Sequence, residues 1–221
     1  MQDLKSHAIV KTHELALKGK NRPWFMRKLT DNLRTATKGS GVEKLWQGQL
    51  MGGLTLSNED CWPEVKTRLK DVFGVAKFYK AYDLPQDLGG LKARLPELLE
   101  GRSFGSFRIT TNRADKRFPM NSQEVNRDLG TFVKELTGAK VELKDPEISI
   151  YLDIQPKGFL VYFDEVKAHG GLPVGVSGKV AVMLSGGIDS PVAAWQMMKR
   201  GCQAMFVHFH SYPLVDRTSM E

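Results

Sequence analysis

With 221 residues, 41% hydrophobic and 26% charged, the chain reads as an ordinary soluble globular protein of one or two domains, or three if they are small. Its formal net charge of +7 suits a polyanionic partner such as RNA or DNA. The two cysteines, Cys61 and Cys202, form no CxxC pair, which argues against a structural zinc site and fits a reducing compartment. The first residues lack the apolar run of a secretory signal, and no apolar stretch approaches the ~20 residues a membrane span needs, so the expectation is a cytoplasmic protein without membrane association.

The elements predicted in chain order begin with a short strand at His7–Lys11. Past the turn residues Gly19 and Asn21, a helix is predicted from about Pro23 to Thr35. Phe25, Leu29 and Leu33 fall on one helical face, Pro23 suits a first-turn position, and Gly39 and Gly41 stop the helix. Two strands follow, Val42–Trp46 and Gly53–Leu56, joined tightly through Gly48 and Gly52. A helix from about Pro63 to Phe73 is ended by Gly74, and Val75–Leu84 is a further strand. The order β-α-β-β-α-β is that of the ferredoxin-like fold, from which no chemistry follows by itself.

The middle third predicts a helix over Leu88–Leu99, a strand over Ser106–Thr111 and a helix over Asn121–Leu136 with Val125, Leu129, Phe132 and Val133 on one side. Strands Ile148–Ile154 and Phe159–Phe163 flank the turn Gln155-Pro156-Lys157-Gly158. The glycine-rich stretch from Ala168 to Gly178 is expected to be a loop or hinge. Beyond it, the apolar strand Lys179–Leu184 reads as part of a sheet buried on both faces. A loop, a helix from about Pro191 to Lys199 and a second apolar strand, Ala204–His208, complete one β-α-β unit.

The loop Ser185-Gly186-Gly187-Ile188-Asp189-Ser190 carries the sharpest chemical signal. Paired glycines let the backbone bend close to a ligand, and the helix that follows offers amide hydrogens without internal partners and the positive end of its dipole. Together they suit a phosphate, with Ser185 and Ser190 as hydroxyl donors. Asp189 would repel phosphates unless a cation such as Mg²⁺ bridged them. The Gly-Lys-Ser/Thr ending of a Walker A loop is missing. Ligands of open parallel sheets sit beyond the carboxyl ends of the strands, which directs attention to Met183, Leu184, His208 and Phe209. His208 and His210 are not expected to bind metal, since no carboxylate or cysteine stands at matching spacing.

Cations interleave with aromatics elsewhere. Lys18, Lys20 and Arg22 precede Trp24, and Arg108, Arg113, Lys116 and Arg117 lead into Phe118. Such groups neutralise phosphates and stack on bases, although a solvated charged face explains any single one equally well.

The hexapeptide resembles the PP-loop, Ser-Gly-Gly-x-Asp-Ser, of the ATP pyrophosphatases. The chain as a whole resembles the tRNA 4-thiouridine synthetases, also called tRNA sulfurtransferases of thiamine biosynthesis. The segments that carry the resemblance are Leu17–Arg22, Lys70–Gly74, Lys116–Met120, Gly170–Gly175 and Leu184–Ala193. It implies an α/β protein: an N-terminal ferredoxin-like domain (residues 1–76), a THUMP RNA-binding domain (77–166), a Gly-rich linker (167–178) and the first β-α-β of a Rossmann-like PP-loop domain (179–221). It further implies that tRNA is held by the first two domains and that O4 of uridine 8 is adenylated with ATP and Mg²⁺. A persulfide sulfur from a cysteine desulfurase would then replace that oxygen, and a small sulfur-carrier protein would take sulfur to the thiazole of thiamine. The PP-loop roles fall on Ser185, Gly186, Gly187, Asp189 and Ser190, with Asp189 as the metal-binding and catalytic carboxylate, and adenosine contacts on Met183-Leu184 and His208-Phe209.

The family's PP-loop domain continues past Glu221, where its sulfur-handling cysteine belongs. The expectation is therefore a truncated form that does not turn over alone. A packing role is expected for Cys202. A homodimer is compatible with the sequence, which does not fix the oligomeric state. Two other readings stay open: an RNA-binding module without catalysis, and a PP-loop ligase acting on a small molecule.

Overall fold

The computed structural model describes residues 4–47 and 51–209. Its elements are β1 (Ser6–Lys11), a 3-10 helix (Glu14–Asn21), α1 (Arg22–Ala36), β2 (Val42–Gln47), β3 (Met51–Leu56), a second 3-10 turn (Glu59–Cys61), α2 (Trp62–Lys70) and β4 (Lys77–Leu84). They continue with α3 (Leu88–Leu99), β5 (Ser106–Arg113), α4 (Ser122–Thr137), β6 (Lys140–Val141), β7 (Ile148–Gln155), β8 (Gly158–Tyr162), β9 (Val166–Lys167), β10 (Lys179–Leu184), α5 (Asp189–Lys199) and β11 (Gln203–His208). The β-α-β-β-α-β order of the ferredoxin-like fold is thus present in the first third, and the α/β elements of the middle third and the β10-α5-β11 unit follow in chain order. The turn through Gly48 and the residues from His210 onward lie outside the described residues.

The chain divides into two compact units. One comprises Met1–Ile9, Leu54–Trp62 and Tyr79–Val166; the other Val10–Gly53, Pro63–Phe78 and Lys167–Glu221.

In the first unit, strands run in the order β4-β8-β7-β5-β6. β8 pairs antiparallel with both β4 (Ala81↔Tyr162) and β7 (Tyr151↔Tyr162), whereas β5 and β7 are parallel from Phe107↔Ile148 to Arg113↔Ile154. The parallel pair needs a crossover, and α4 provides it. α4 begins with a reciprocal capping box: the Asn121 side chain accepts from the Glu124 amide, and the Glu124 carboxylate accepts from the Asn121 amide. It ends at Gly138, whose φ of 73° is the left-handed cap a glycine adopts without strain. Between these stops Val125, Leu129 and Val133 form one buried stripe. That stripe and Leu91, Leu95, Leu98 and Leu99 of α3 share a core with Phe107, Ile109, Ile150, Leu152, Phe159 and Val161 of the sheet. Phe107 is fully buried there. Phe107→Ala is expected to cost about 3–5 kcal/mol of stability, read as a lowered urea midpoint at unchanged m-value.

In the second unit, α1 buries Met26, Leu29 and Leu33. β10 and β11 pair in parallel, in register from Lys179↔Gln203 to Leu184↔His208, with α5 as the crossover. The glycine-rich stretch expected to be a loop or hinge lacks regular structure but is tied down along its length. Ala168 N donates to Ala76 O, Gly170 N to Val75 O, Leu172 N to Lys199 O, and Gly175 N and Ser177 N both to Gly201 O. The Asn32 side-chain amide donates to Val174 O at 3.1 Å.

The expectation that the β10 sheet is buried on both faces does not hold for the described residues. Met183 is 67% exposed and Phe206 52%. Among the described residues β10 and β11 pair only with each other, and one helix cannot cover both faces of two strands.

Candidate functional site

β10 delivers the chain to the Ser185–Ile188 turn, and α5 leaves it at Asp189. The turn is braced from within: Ser185 N donates to Ser190 Oγ at 3.2 Å, and Gly187 N donates to Ser185 Oγ at 3.4 Å. The residue at the helix N-cap, Ile188, offers no side-chain cap. The first amides of α5 therefore have no side-chain acceptor from the cap and are available to an anion. A β-carbon built on Gly186 would meet nothing within 4 Å, so the space over that residue is open. Ser185, Gly186, Gly187 and Asp189 are exposed and Ser190 is half-buried. These residues fit a polyphosphate: open space, amides and two hydroxyls at a helix start.

Asp189 stands in the first turn of α5, at the edge of that space. Among the described residues no cluster of three or more His, Cys, Asp or Glu could cage a metal. A divalent ion at Asp189 would therefore draw its other ligands from phosphate and water, the usual situation of Mg²⁺.

The register places Leu184 beside His208. His208 Nδ1–H donates to Leu184 O at 3.0 Å, which joins the carboxyl ends of the two strands. Met183 and Phe209, 67% and 74% exposed, lie at the same end and leave apolar surface free for a planar ring. His210 is outside the described residues. Cys202 lies just before β11, at the opposite end from His208. It is buried, and its thiol donates to Ser177 O at 3.7 Å, which is a packing role.

The seven cations named from sequence fall into two groups. Three arginines are half-buried and engaged. Arg22 donates to Ala16 O and braces the 3-10 segment; Arg108 donates to Leu143 O and Ser149 Oγ; Arg113 Nη2 donates to Lys116 O and Phe118 O. The Nε atoms of all three are buried without a hydrogen-bond partner, so the inner edges of these guanidiniums belong to the fold. The others face solvent to differing degrees. Lys18 lies 5.1 Å over the Phe25 ring, Lys20 and Lys116 are exposed, and Arg117 is an exposed side chain bound to a buried carboxylate.

That carboxylate, Asp115, is what residue-by-residue reading missed. It accepts from Arg117 N at 3.0 Å, Arg117 Nε at 3.0 Å and Arg117 Nη2 at 3.1 Å. These bonds hold its pKa well below the usual carboxylate range. Because the folded value is depressed, the stabilisation is present above the ordinary carboxylate pKa and is lost as pH falls through the folded value. The signal available in the sequence was the spacing Arg113-x-Asp115-x-Arg117, with one acid inside a basic run.

With this geometry in view, three family profiles match in succession: the ThiI ferredoxin-like domain over residues 7–79, the THUMP domain over 91–164, and the thiamine biosynthesis protein ThiI over 175–221. The chain thus matches ThiI family domains one after another along most of its length. It is 49% identical over 211 residues to a probable tRNA sulfurtransferase of Thermus thermophilus, covering 95% of this chain and 51% of that protein. It is 38% identical to a probable tRNA sulfurtransferase of Brevibacillus brevis, over 96% of this chain and 54% of the relative. Among solved structures, a 4-thiouridine synthetase–RNA complex with bound ATP superimposes with a TM-score of 0.82 at 31% identity, covering 96% of this chain and 54% of that one. The chain spans about half the length of these relatives.

Proposed function

We propose that the chain serves ATP-dependent sulfur transfer to tRNA, with the Ser185–Ser190 loop as its phosphate site. The observation that carries the proposal is the open space over Gly186 beside the uncapped start of α5. Support comes from the ThiI domain matches and from the likeness to a synthetase solved with RNA and ATP.

In this reading the amides of Gly186 and Gly187 and the hydroxyls of Ser185 and Ser190 orient the phosphates, and Asp189 holds Mg²⁺ against them. Met183, Leu184, His208 and Phe209 receive the adenosine part. Bound ATP supplies the adenylyl group that makes O4 of uridine 8 a leaving group for sulfur, so that 4-thiouridine forms. Lys18, Lys20, Lys116 and Arg117 meet RNA phosphates, while Arg22, Arg108 and Arg113 chiefly hold the surfaces that present them. Sulfur arrives as a persulfide from a cysteine desulfurase, with a thiol supplying the two electrons that bring it to the sulfide level and ending as a disulfide, and a small sulfur-carrier protein draws on the same sulfur for thiamine thiazole. These two partners rest on the family resemblance. Action on tRNA would put the chain in the cytoplasm; separately, among the described residues no helix is long and apolar enough to cross a membrane.

A second reading is an RNA-binding module without catalysis. It is favoured by the cysteines: Cys202 is buried, and Cys61 Sγ lies 3.1 Å from both Ser57 Oγ and Asn58 Oδ1. Neither is placed as a free sulfur acceptor.

Two titrations decide between these readings. Labelled ATP with Mg²⁺ is expected to bind saturably, and no affinity would leave only the RNA-binding module. A tRNA gel shift is expected at low salt and should weaken steeply between 50 and 200 mM salt, by about 10³-fold if some six phosphates are contacted. Failure to shift tRNA at any salt would remove the RNA half of the proposal.

A further inference from the structure

The loop after β5 is more rigid than a patch of solvated cations needs to be. Ala114 N and Asp115 N both donate to Ile154 O, which pins the loop to the end of β7. Arg113 clasps the carbonyls of Lys116 and Phe118 from beneath. The Phe118 ring packs edge-on against Phe159 at 5.6 Å, anchoring the far side in the core. Gln86 spans the remaining gap, donating to Gln155 O at 2.9 Å and to Asp115 Oδ2 at 3.4 Å. The carboxylate of Asp115 is therefore a fixed object, 7% exposed, whereas the side chain it holds, Arg117, is 79% exposed.

This arrangement is uneconomical if Arg117 serves only as counter-charge. The pair is neutral, so Asp115 cancels the long-range attraction that a free arginine would exert on a phosphate. What the pair provides is direction. Asp115 occupies Nε–H and one hydrogen of Nη2, and the opposite edge of the guanidinium, Nη1 with the other Nη2 hydrogen, is left facing outward. An arginine immobilised in this way has already lost the rotamer freedom that binding would otherwise remove.

We infer that Asp115 is a positioning residue for RNA: it fixes the Arg117 guanidinium so that a backbone phosphate meets a preset two-donor edge. The inference rests on the RNA-binding reading above and adds to it which residue makes Arg117 a shaped contact.

Charge and geometry give opposite signs for one substitution. Asp115→Asn removes a negative charge from a basic surface, so if only net charge matters tRNA binding tightens by a small factor, about twofold. If orientation matters, the asparagine amide turns a donor toward a guanidinium donor, Arg117 is released, and binding weakens by roughly tenfold. The experiment measures tRNA dissociation constants by filter binding at two salt concentrations for the unsubstituted chain, D115N, R117A and D115N/R117A, with thermal melts of each. The expected result is weaker binding for D115N and for R117A, with D115N adding nothing in the R117A background. Tighter or unchanged binding by D115N overturns the inference while leaving the RNA reading intact. Equal weakening by D115N in both backgrounds with a lowered melting point also overturns it, since Asp115 would then merely staple the loop. No binding by the unsubstituted chain overturns the RNA reading and the inference with it.

Discussion

Gly186→Val is expected to lower affinity for ATP by about a hundredfold or more while leaving the unfolding curve of the chain unchanged. In free-energy terms the loss is about 2.8 kcal/mol, at 1.4 kcal/mol per tenfold. The two halves of this prediction come from one observation. A β-carbon at residue 186 meets no atom within 4 Å, and Gly186 is not among the glycines with positive φ. Neither packing nor backbone conformation demands a glycine here, so the fold accepts a side chain. The demand comes from whatever occupies the open space, and an isopropyl group placed there blocks the approach of a phosphate to the amides. Isothermal titration with ATP and Mg²⁺, paired with a urea melt, separates the effects. Retained ATP affinity would mean that the phosphates sit elsewhere. A large stability loss would mean that the loop is packed in a way its geometry does not indicate. Ser190→Ala offers a milder contrast, because its hydroxyl also accepts from Ser185 N within the loop, so affinity and local order should fall together.

The contrast between what the chain disclosed and what it concealed follows the range of the interactions. The helices of the first unit could be read because their apolar spacing and caps are local: Val125, Leu129 and Val133 recur within a few residues, and Asn121 with Glu124 signs the start of α4. The phosphate loop could be read for the same reason, its six residues being contiguous. The fate of the cations could not. Arg108 finds Leu143 and Ser149, 35 and 41 positions away, and Arg22 is consumed by a 3-10 segment with no periodic signature. Composition counts every arginine as surface charge, but a guanidinium can satisfy several carbonyls at once and so is drawn into loop closure. The short strands Lys140–Val141 and Val166–Lys167 were equally hidden, since two residues carry no alternation to detect. The apolar character of β10 and β11 was legible, but not how little of it the described residues would cover.

Gly171→Val tests the glycine-rich segment, where the local signal left loop and hinge both open. Glycine density argued for a loop or a hinge; the segment is a loop, and on the hinge view a valine would change stability by no more than ~0.5 kcal/mol. The geometry argues for about 3 kcal/mol or more. Gly171 is buried with φ of 78°, where an L-residue pays about 1–2 kcal/mol for its β-carbon alone. That carbon would also run into the backbone carbonyl of Lys199, the same oxygen that accepts from Leu172 N. Relief requires the 170–172 segment to lift from α5. That would strain the bonds of Gly170 with Val75 O and Gly74 N on the other side. The aromatic contacts spanning the same joint would loosen with it: Trp195 of α5 meets both Phe73 and His169 edge-on at 5.4 Å. The strap thus fastens the helix behind the phosphate loop to the end of the ferredoxin-like portion, and its glycines permit close approach where a sequence reader sees mobility. A urea midpoint for Gly171→Val within error of the unsubstituted chain would restore the hinge. A large drop, with Gly178→Ala milder because nothing lies within 4 Å of its β-carbon and only the backbone cost of its φ of 80° remains, would establish the strap as structural.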